Sequence, residues 1–527
     1  MTPSARRAAR DAVVTALAVL TVTACATRST PEIPVRIDPV ALPLPEIAVA
    51  ETPLPAARVA LTRLVDSLVG DPSFRMAHWG ILIMDPEVGD TLVSINADKL
   101  FMPASNQKLV TGATSLALLG PDYRWRTPVL LRGTVSGGTF RGDVILVGSG
   151  DPTWSDAFHN GDALAAFAPI ADALAARGIR RVAGRILEEG DAFPDAPYGF
   201  GWGWDDFDAS YSAGVDELYF NEGFFRVVVT PGARAGARAT VRTMPLATYP
   251  RVEVLATTRA TSDTLAARTQ PLEVVSDSIG DRLLVRGTVP LGDSVVITRA
   301  YRHANDATRE ALRTALVARG IAVTPGRGAR AGARTDTLLV LESPPLREVN
   351  RRMQKPSQNQ IAEIMFKTMG RERAGVGSAD SARAVVERQL EEWGIGREGA
   401  AVRDGSGLSR HDYLSPRAIV RLLTMMIGHP TFDHFVEALP LAGVDGTIGS
   451  RMRGTPAAGN LRAKTGTLDK ARSLSGYVTT RDGHRLVFSM LCNNWVGPVR
   501  DVERVQDAIG AFLADVRMAD LRIAMPQ

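Results

Sequence analysis

Two lysines and two serines carry the chemistry that this sequence could perform. Ser105-Asn106-Gln107-Lys108 sets a hydroxyl and an amine three residues apart, so on a helix they share a face and can hydrogen-bond. Serine is a poor nucleophile until a neighbouring base takes its proton, and lysine can be that base only when neutral. Burial and a second cation would lower its pKa far enough. Lys464-Thr465-Gly466-Thr467 can supply that cation if its strand lies beside the Ser105 helix. On an edge strand Gly466 would let a substrate backbone approach closely, and Thr465 and Thr467 would offer hydroxyls to a terminal carboxylate. The backbone N–H groups of Ser105 and Thr467 would form an oxyanion hole, where one lost donor costs about 2.7–4 kcal/mol. Between these motifs lies Ser357-Gln358-Asn359. The chemistry is acyl transfer through a serine ester.

Taken singly, each motif has an ordinary reading: Ser105 as a helix cap, Lys464 as a solvated strand end, Asn359 as a turn residue. Lysine usage argues otherwise. Of 61 Lys+Arg only six are Lys (Lys99, Lys108, Lys355, Lys367, Lys464, Lys470), so arginine serves where a charge merely has to be present. Arginine cannot give up its proton, whereas lysine can. Ser-x-x-Lys and Lys-Thr-Gly each occur once, in order. Ser94-Ile95-Asn96 also matches Ser-x-Asn but precedes Ser105, out of order.

The elements that must position these residues are legible around them. Ala56 to Val69 has helical spacing, with Val59, Leu61, Leu64, Val65 and Leu68 on one side. Gly80 to Met84 and Thr91 to Ile95 flank Glu87-Val88-Gly89-Asp90 as a hairpin, and Pro103-Ala104-Ser105 opens a helix ending near Leu119. Helical texture returns over Leu346 to Gly370 and Ser381 to Trp393. A last helix near Val499 to Val516 puts Val502, Val505, Ile509, Phe512 and Leu513 on one face. Between the halves, residues 127–339 turn to Val, Thr, Gly and Arg with period-two stretches, a large and mostly β insertion. Asp151 and Trp154 within it read as solvated loop residues, with a contact to the site as the alternative. Asp404 and Ser406 read as shaping a loop near the site or simply a turn.

The first 25 residues read as an export signal: Arg6, Arg7 and Arg10 precede an apolar run from Ala12 to Ala24, too short to span a bilayer. Val22-Thr23-Ala24-Cys25 resembles a bacterial lipobox, in which Cys25 is lipidated; cleavage after Ala24-Cys25-Ala26 is the alternative. Residues 26–54, rich in Pro, Thr and Ala, form a tether. Cys492 then has no partner and, in an apolar run, reads as a buried thiol. A hydrophobic content of 45% and 22% charged residues suit a soluble globular protein, and a net charge of +4 over 527 residues singles out no nucleic acid. The seven His form no metal-ligand spacing, there is no G-x-S-x-G elbow and no phosphate loop, so neither metal nor cofactor is expected.

Ser-x-x-Lys, Ser-x-Asn and Lys-Thr-Gly in this order are the known signature of penicillin-binding proteins and serine β-lactamases. The chain resembles a class C low-molecular-mass penicillin-binding protein, the D-alanyl-D-alanine carboxypeptidase/endopeptidase family. The likeness extends to Phe101-Met102-Pro103-Ala104-Ser105, Leu146-Val147-Gly148-Ser149-Gly150-Asp151-Pro152-Thr153, Gly201-Trp202-Gly203-Trp204 and Tyr219-Phe220-Asn221. It continues through Lys355-Pro356-Ser357, Asp404-Gly405-Ser406-Gly407-Leu408-Ser409, Gly446-Thr447 and Ala463-Lys464-Thr465-Gly466-Thr467-Leu468. The 252 residues between Ser105 and Ser357 exceed what a compact β-lactamase has, as accessory domains inserted between the first two motifs would require.

The resemblance implies an α+β fold: a transpeptidase-like domain of residues 55–126 and 340–527, its antiparallel sheet flanked by helices, carrying the 127–339 insertion. It implies Ser105 as acylated nucleophile, Lys108 as general base and Ser357 as proton relay to the departing amine. Asn359 would orient Lys108 and the substrate amide, while Lys464, Thr465 and Thr467 hold the terminal carboxylate. The implied partners are peptidoglycan stem peptides, β-lactams as acylating inhibitors and, through a lipid on Cys25, a membrane; the implied place is the periplasm or cell envelope. Two rivals stay open: a β-lactamase or esterase on the same fold, and a non-catalytic wall-binding lipoprotein.

Overall fold

In the computed structural model, residues 54–277 and 282–523 are described. The export signal, Cys25 and the tether up to residue 53 lie outside the described residues. Among those described, no helix is long and apolar enough to cross a membrane.

The first helix, α1 (Ala56–Val69), forms where its apolar spacing predicts, burying Leu61 and Val65. β1 (His78–Asp85) and β2 (Asp90–Ile95) pair antiparallel, with Ile81 opposite Ile95 and Asp85 opposite Asp90. Gly89, at φ +72°, takes the left-handed corner of their turn. The segment carrying Ser105 follows as a 3₁₀ turn, Ala104–Asn106, running into α2 (Gln107–Leu118).

The sheet is completed from the far end of the chain. β3 (Arg462–Leu468), β4 (Ala471–Thr479) and β5 (Arg485–Asn493) join β1 and β2 in the order β3-β4-β5-β1-β2, every neighbour antiparallel. β3 is therefore an edge. Side chains alternate between two cores: Ile81 and Ile83 enter one with Leu61, Leu474 and Phe488, while Leu82 enters the other with Leu109, Phe366 and Leu423. Each such burial is worth about 1.5–3 kcal/mol. Both faces are covered, which is why the central strands read as unbroken apolar runs. Cys492 is among these buried residues, with no exposure, and burial pushes its thiol up to about 12.

Helices cover the two faces. α7 (Val499–Asp515) lies beside α1, inserting Val502, Val505, Ile509 and Leu513, with Phe512 only half-buried. On the other face α2 packs with α3 (Leu346–Gln354), α4 (Asn359–Ala374), α5 (Ala379–Glu392) and α6 (Pro416–Ile427). The sequence suggests continuous helical texture across 346–370. It is broken at Lys355-Pro356-Ser357-Gln358, because proline lacks an N–H and disfavours helical backbone in the residue before it. Ser357 sits in that break at φ +67°, and Gln358 caps α4 through the N–H of Ile361 at 2.9 Å.

The inserted segment has its own core, including Val144, Phe167, Phe225, Val285 and Leu312. Its largest sheet runs Ala322–Pro325, Arg181–Glu189, Thr139–Val147, Arg126–Ser136, Thr335–Glu342, with parallel and antiparallel pairs mixed. Strands dominate its regular structure, but a 15-residue helix, Ala304–Ala318, was not legible there: its buried face is largely alanine, which weakens the apolar contrast. Asp151 and Trp154 are not solvated loop residues. Both are buried; Asp151 accepts from Thr153, and Trp154 packs edge-on against Phe167 at 5.2 Å.

Candidate active site

The turn that carries Ser105 is fastened to the edge strand. Asn106 Nδ2 donates to the Lys464 carbonyl at 2.8 Å, and Ser473 Oγ to the Pro103 carbonyl at 2.7 Å. A Cβ at Gly466 would lie 2.2 Å from Ser473 Oγ, 2.4 Å from Pro103 O and 3.0 Å from Ser105 N. That corrects one expectation. Gly466 is glycine because the strand presses against the nucleophile's own turn; its missing side chain faces protein, not substrate.

Lys108 is wholly buried at the first turn of α2. Its Nζ lies 2.9 Å from Ser105 Oγ, 2.6 Å from Asn359 Oδ1 and 2.6 Å from the Ser406 carbonyl. Burial brings its pKa down to about 7, against the pull of Asp404, Glu363 and Asp412 in the other direction. Lys464 is equally buried; its Nζ donates to Ser357 Oγ at 2.8 Å and to the Thr465 carbonyl at 2.9 Å. Burial, then the nearby positive charge of Lys108, holds its pKa well below that of a free lysine. Burial is the largest cause at both amines, and the repulsion between the two bears on Lys464.

Seven of the residues nominated from the sequence converge. Ser105, Ser357, Asn359, Thr465 and Thr467 line one cavity of about 690 Å³, with Lys108 and Lys464 beneath it. Thr465 Oγ1 meets Thr447 Oγ1 at 2.6 Å, and the exposed Thr467 hydroxyl accepts from the Arg472 guanidinium. Backbone direction alternates along a strand. The N–H of Ala463 bonds the Pro440 carbonyl, on the side away from β4, so the N–H of Thr467, four residues on, points to the same open side. That is the orientation an oxyanion donor needs. Asn359 is more constrained than expected: its Nδ2 donates to the Tyr211 carbonyl at 2.7 Å, leaving one N–H for a substrate amide.

Several residues of the site were not singled out by sequence reasoning. Asp205, Asp206 and Tyr211 reach the cavity from the inserted segment, and Arg410 from the loop after Asp404. Asp404 organises that loop, accepting from the N–H groups of Ser406, Gly407 and Ser409 at 3.1, 2.6 and 2.7 Å and from Trp202 Nε1 at 2.9 Å. Glu363 and Asp412 are buried next to it. Only Glu363 carries a local signal, lying four residues after Asn359 on one helix face. The shaping role read for Asp404 and Ser406 agrees with this geometry: the Ser406 carbonyl is a direct partner of Lys108.

A buried amine beside a serine hydroxyl, with an N–H-lined edge strand opposite, can acylate and deacylate that serine. The chain is 32% identical over 496 residues to the D-alanyl-D-alanine carboxypeptidase of Actinomadura sp. (strain R39), covering 90% of this chain and 88% of that one. It is 24% identical to the D-alanyl-D-alanine carboxypeptidase DacB of Haemophilus influenzae over 79% of this chain and 85% of the relative. The crystal structure of penicillin binding protein 4 (dacB) from Haemophilus influenzae shares its fold, with a TM-score of 0.72 at 22% identity over 86% of this chain and 99% of that one. The family description D-Ala-D-Ala carboxypeptidase 3 (S13) matches residues 61–516, most of the described residues. The chain belongs to that family.

Proposed function

We propose that this serine-type D-Ala-D-Ala carboxypeptidase works on peptidoglycan stem peptides through an acyl-enzyme on Ser105. One observation carries the reading: the 2.9 Å contact between Ser105 Oγ and a fully buried Lys108 whose pKa lies near 7. An amine poised near neutrality is the right strength to take a hydroxyl proton and return it.

The steps follow from the partners. Neutral Lys108 takes the Ser105 proton as Oγ attacks the carbonyl of the penultimate D-alanine. The N–H groups of Ser105 and Thr467 receive the oxyanion. Collapse breaks the peptide bond, and the departing D-alanine amine gains a proton passed from Lys108 by way of Ser357, which Lys464 holds at 2.8 Å. Thr465 and Thr467, with Lys464 when it bears a proton, receive the terminal carboxylate. Water then attacks the ester with Lys108 again as base. A β-lactam enters the same first step; the Haemophilus protein of like fold has been crystallised with a β-lactam. Cutting of crosslinks needs the same acylation with a larger leaving amine.

This chemistry belongs in the cell envelope, outside the cytoplasm. Lipidation at Cys25 would add an anchor, and Cys25→Ser would then move the protein from the membrane to the soluble fraction. Residues 127–339 act as an accessory domain that lends Asp205, Asp206 and Tyr211 to the cavity wall.

Mass spectrometry after incubation with benzylpenicillin tests the assignment. The wild type gains one penicilloyl group on the peptide containing Ser105, stable over hours, and Ser105→Ala gains none. Rapid loss of the adduct would favour the β-lactamase reading, and no adduct on the wild type the non-catalytic lipoprotein.

A further inference from the structure

A second cavity, about 560 Å³, opens between residues 195–200 of the inserted segment and α4 and α5. Glu363 and Asp404 line it, with Lys367, Arg383 and Arg403 among the other lining residues. Glu363 belongs to none of the three motifs, yet it reaches the general base through two bonds. Its Oε1 accepts from the N–H of Gly405 at 3.1 Å and of Ser406 at 2.8 Å. The Ser406 carbonyl in turn accepts from Lys108 Nζ at 2.6 Å, and Thr111 Oγ1 ties the Gly405 carbonyl to α2 at 2.6 Å. Because Asn359 and Glu363 sit one turn apart, a single face of α4 sets two of the acceptors on that amine, one directly and one through the loop.

Charge is the second half of the problem. Three carboxyls surround the amine, and if all were ionised Lys108 would keep its proton. Asp404 accepts from four N–H donors. Asp412 accepts from the N–H groups of Arg403 and Asp404 through Oδ1, its buried Oδ2 has no donor, and burial beside Asp404 pushes its pKa well up. Burial and then the charge of Asp404 push Glu363 up to about 8, opposed by its two N–H donors and by Lys367. Lys367 is itself engaged at 2.6 Å by Asp195. Tyr198, Asp380, Arg383 and Arg403 complete the ionisable groups lining the cavity.

We propose that Glu363 is a positioning residue for the acylation: in its neutral form it anchors the N–H groups of Gly405 and Ser406 so that the Ser406 carbonyl stays against Lys108, without adding a charge that would keep the base protonated, and it exchanges its proton through the rear cavity. The inference rests on the acyl-enzyme reading. Its sign follows directly. As pH rises through about 8, Glu363 ionises, and the new negative charge strengthens the hold of Lys108 on its proton. The wild-type acid limb is therefore drawn out towards alkaline pH.

The test is the rate of acylation by benzylpenicillin across acid and alkaline pH, on the full chain. Glu363→Gln keeps the accepting oxygen and cannot ionise; it should acylate near the wild-type rate at neutral pH and reach its plateau at lower pH. Glu363→Ala loses the acceptor and should slow acylation on the order of 10²-fold, as a misplaced catalytic group does, while still melting cooperatively. The inference is overturned if Glu363→Gln is as slow as Glu363→Ala, if its pH profile superimposes on the wild type, or if Glu363→Ala is unimpaired. A wild type that takes up no penicillin would overturn the acyl-enzyme reading itself, and this inference with it.

Discussion

Two lysines with no exposed surface lie under one cavity, and their surroundings differ. Lys108 meets a serine hydroxyl, an amide oxygen and a carbonyl, with carboxyls just behind. Lys464 meets one hydroxyl and the carbonyl of its neighbour, and carries only repulsion from Lys108 and Arg472. Both pay the desolvation penalty, but only one has nearby carboxyls to offset it. The lesson is that burial makes a lysine able to lose a proton, and the carboxyls around it decide near which pH it does so. Lys108 is brought down to about 7, whereas Lys464, with repulsion from Lys108 and Arg472 added to its burial, is held well below a free lysine.

The strongest way to break the contrast is Lys108→Arg. It retains charge and removes basicity, so the acylation rate should fall on the order of 10²–10⁴-fold, measured with benzylpenicillin. A rate close to wild type would mean that position 108 needs only a cation. Asn359→Asp sharpens the contrast by giving Lys108 a carboxylate in direct contact. The acid limb should then move up by about one pH unit, a tenfold loss at neutral pH that disappears in alkali. Gly466→Ala probes what holds the two lysines over one cavity. Its Cβ would collide with Ser473 and Pro103, and the fold should lose about 1–3 kcal/mol in urea titration, with acylation slowed in parallel.

A last effect is on how stability varies with pH. Lys108 has its pKa near 7 when folded and 10.5 as a free lysine, so within that window the unfolded chain binds more protons. Its contribution therefore makes the fold more stable as pH rises from about 7 to 10.5. Lys108→Met should remove that slope, seen as a shallower gain in the urea midpoint on going alkaline than the wild type shows.

Much of this was legible because it is local or repetitive. The hairpin of β1 and β2, α1, α7 and the two buried lysines all follow from short-range spacing or from rarity of type. What escaped depends on distant pairings between common residues. Asp412 is one of 57 acidic residues, and nothing near it marks its proximity to Lys108; Glu363 has only its spacing of four from Asn359 to single it out. Tyr211 bonds Asn359 through its backbone carbonyl, which no side-chain pattern records. Gly466 was read for the right position with the wrong neighbour, because a sequence reveals that space is needed but not on which side. The break before α4 follows from Pro356, whereas the left-handed backbone of Ser357 does not, since serine seldom adopts it.

The inserted segment leaves and rejoins the chain on adjacent strands, Arg126 opposite Glu342 and Thr127 opposite Leu341. Lys108 must find Asn359 across 251 residues, a separation that would ordinarily make assembly slow. Once those two strands zip together, the intervening polypeptide no longer counts as slack, and the remaining search spans only the 18 residues from Lys108 to Arg126 and the 17 from Glu342 to Asn359. While the chain is made from its amino end, Ser105 and Lys108 wait as an unfinished half-site until the strand carrying Lys464 joins them. The cavity is then complete only once nearly the whole chain is present.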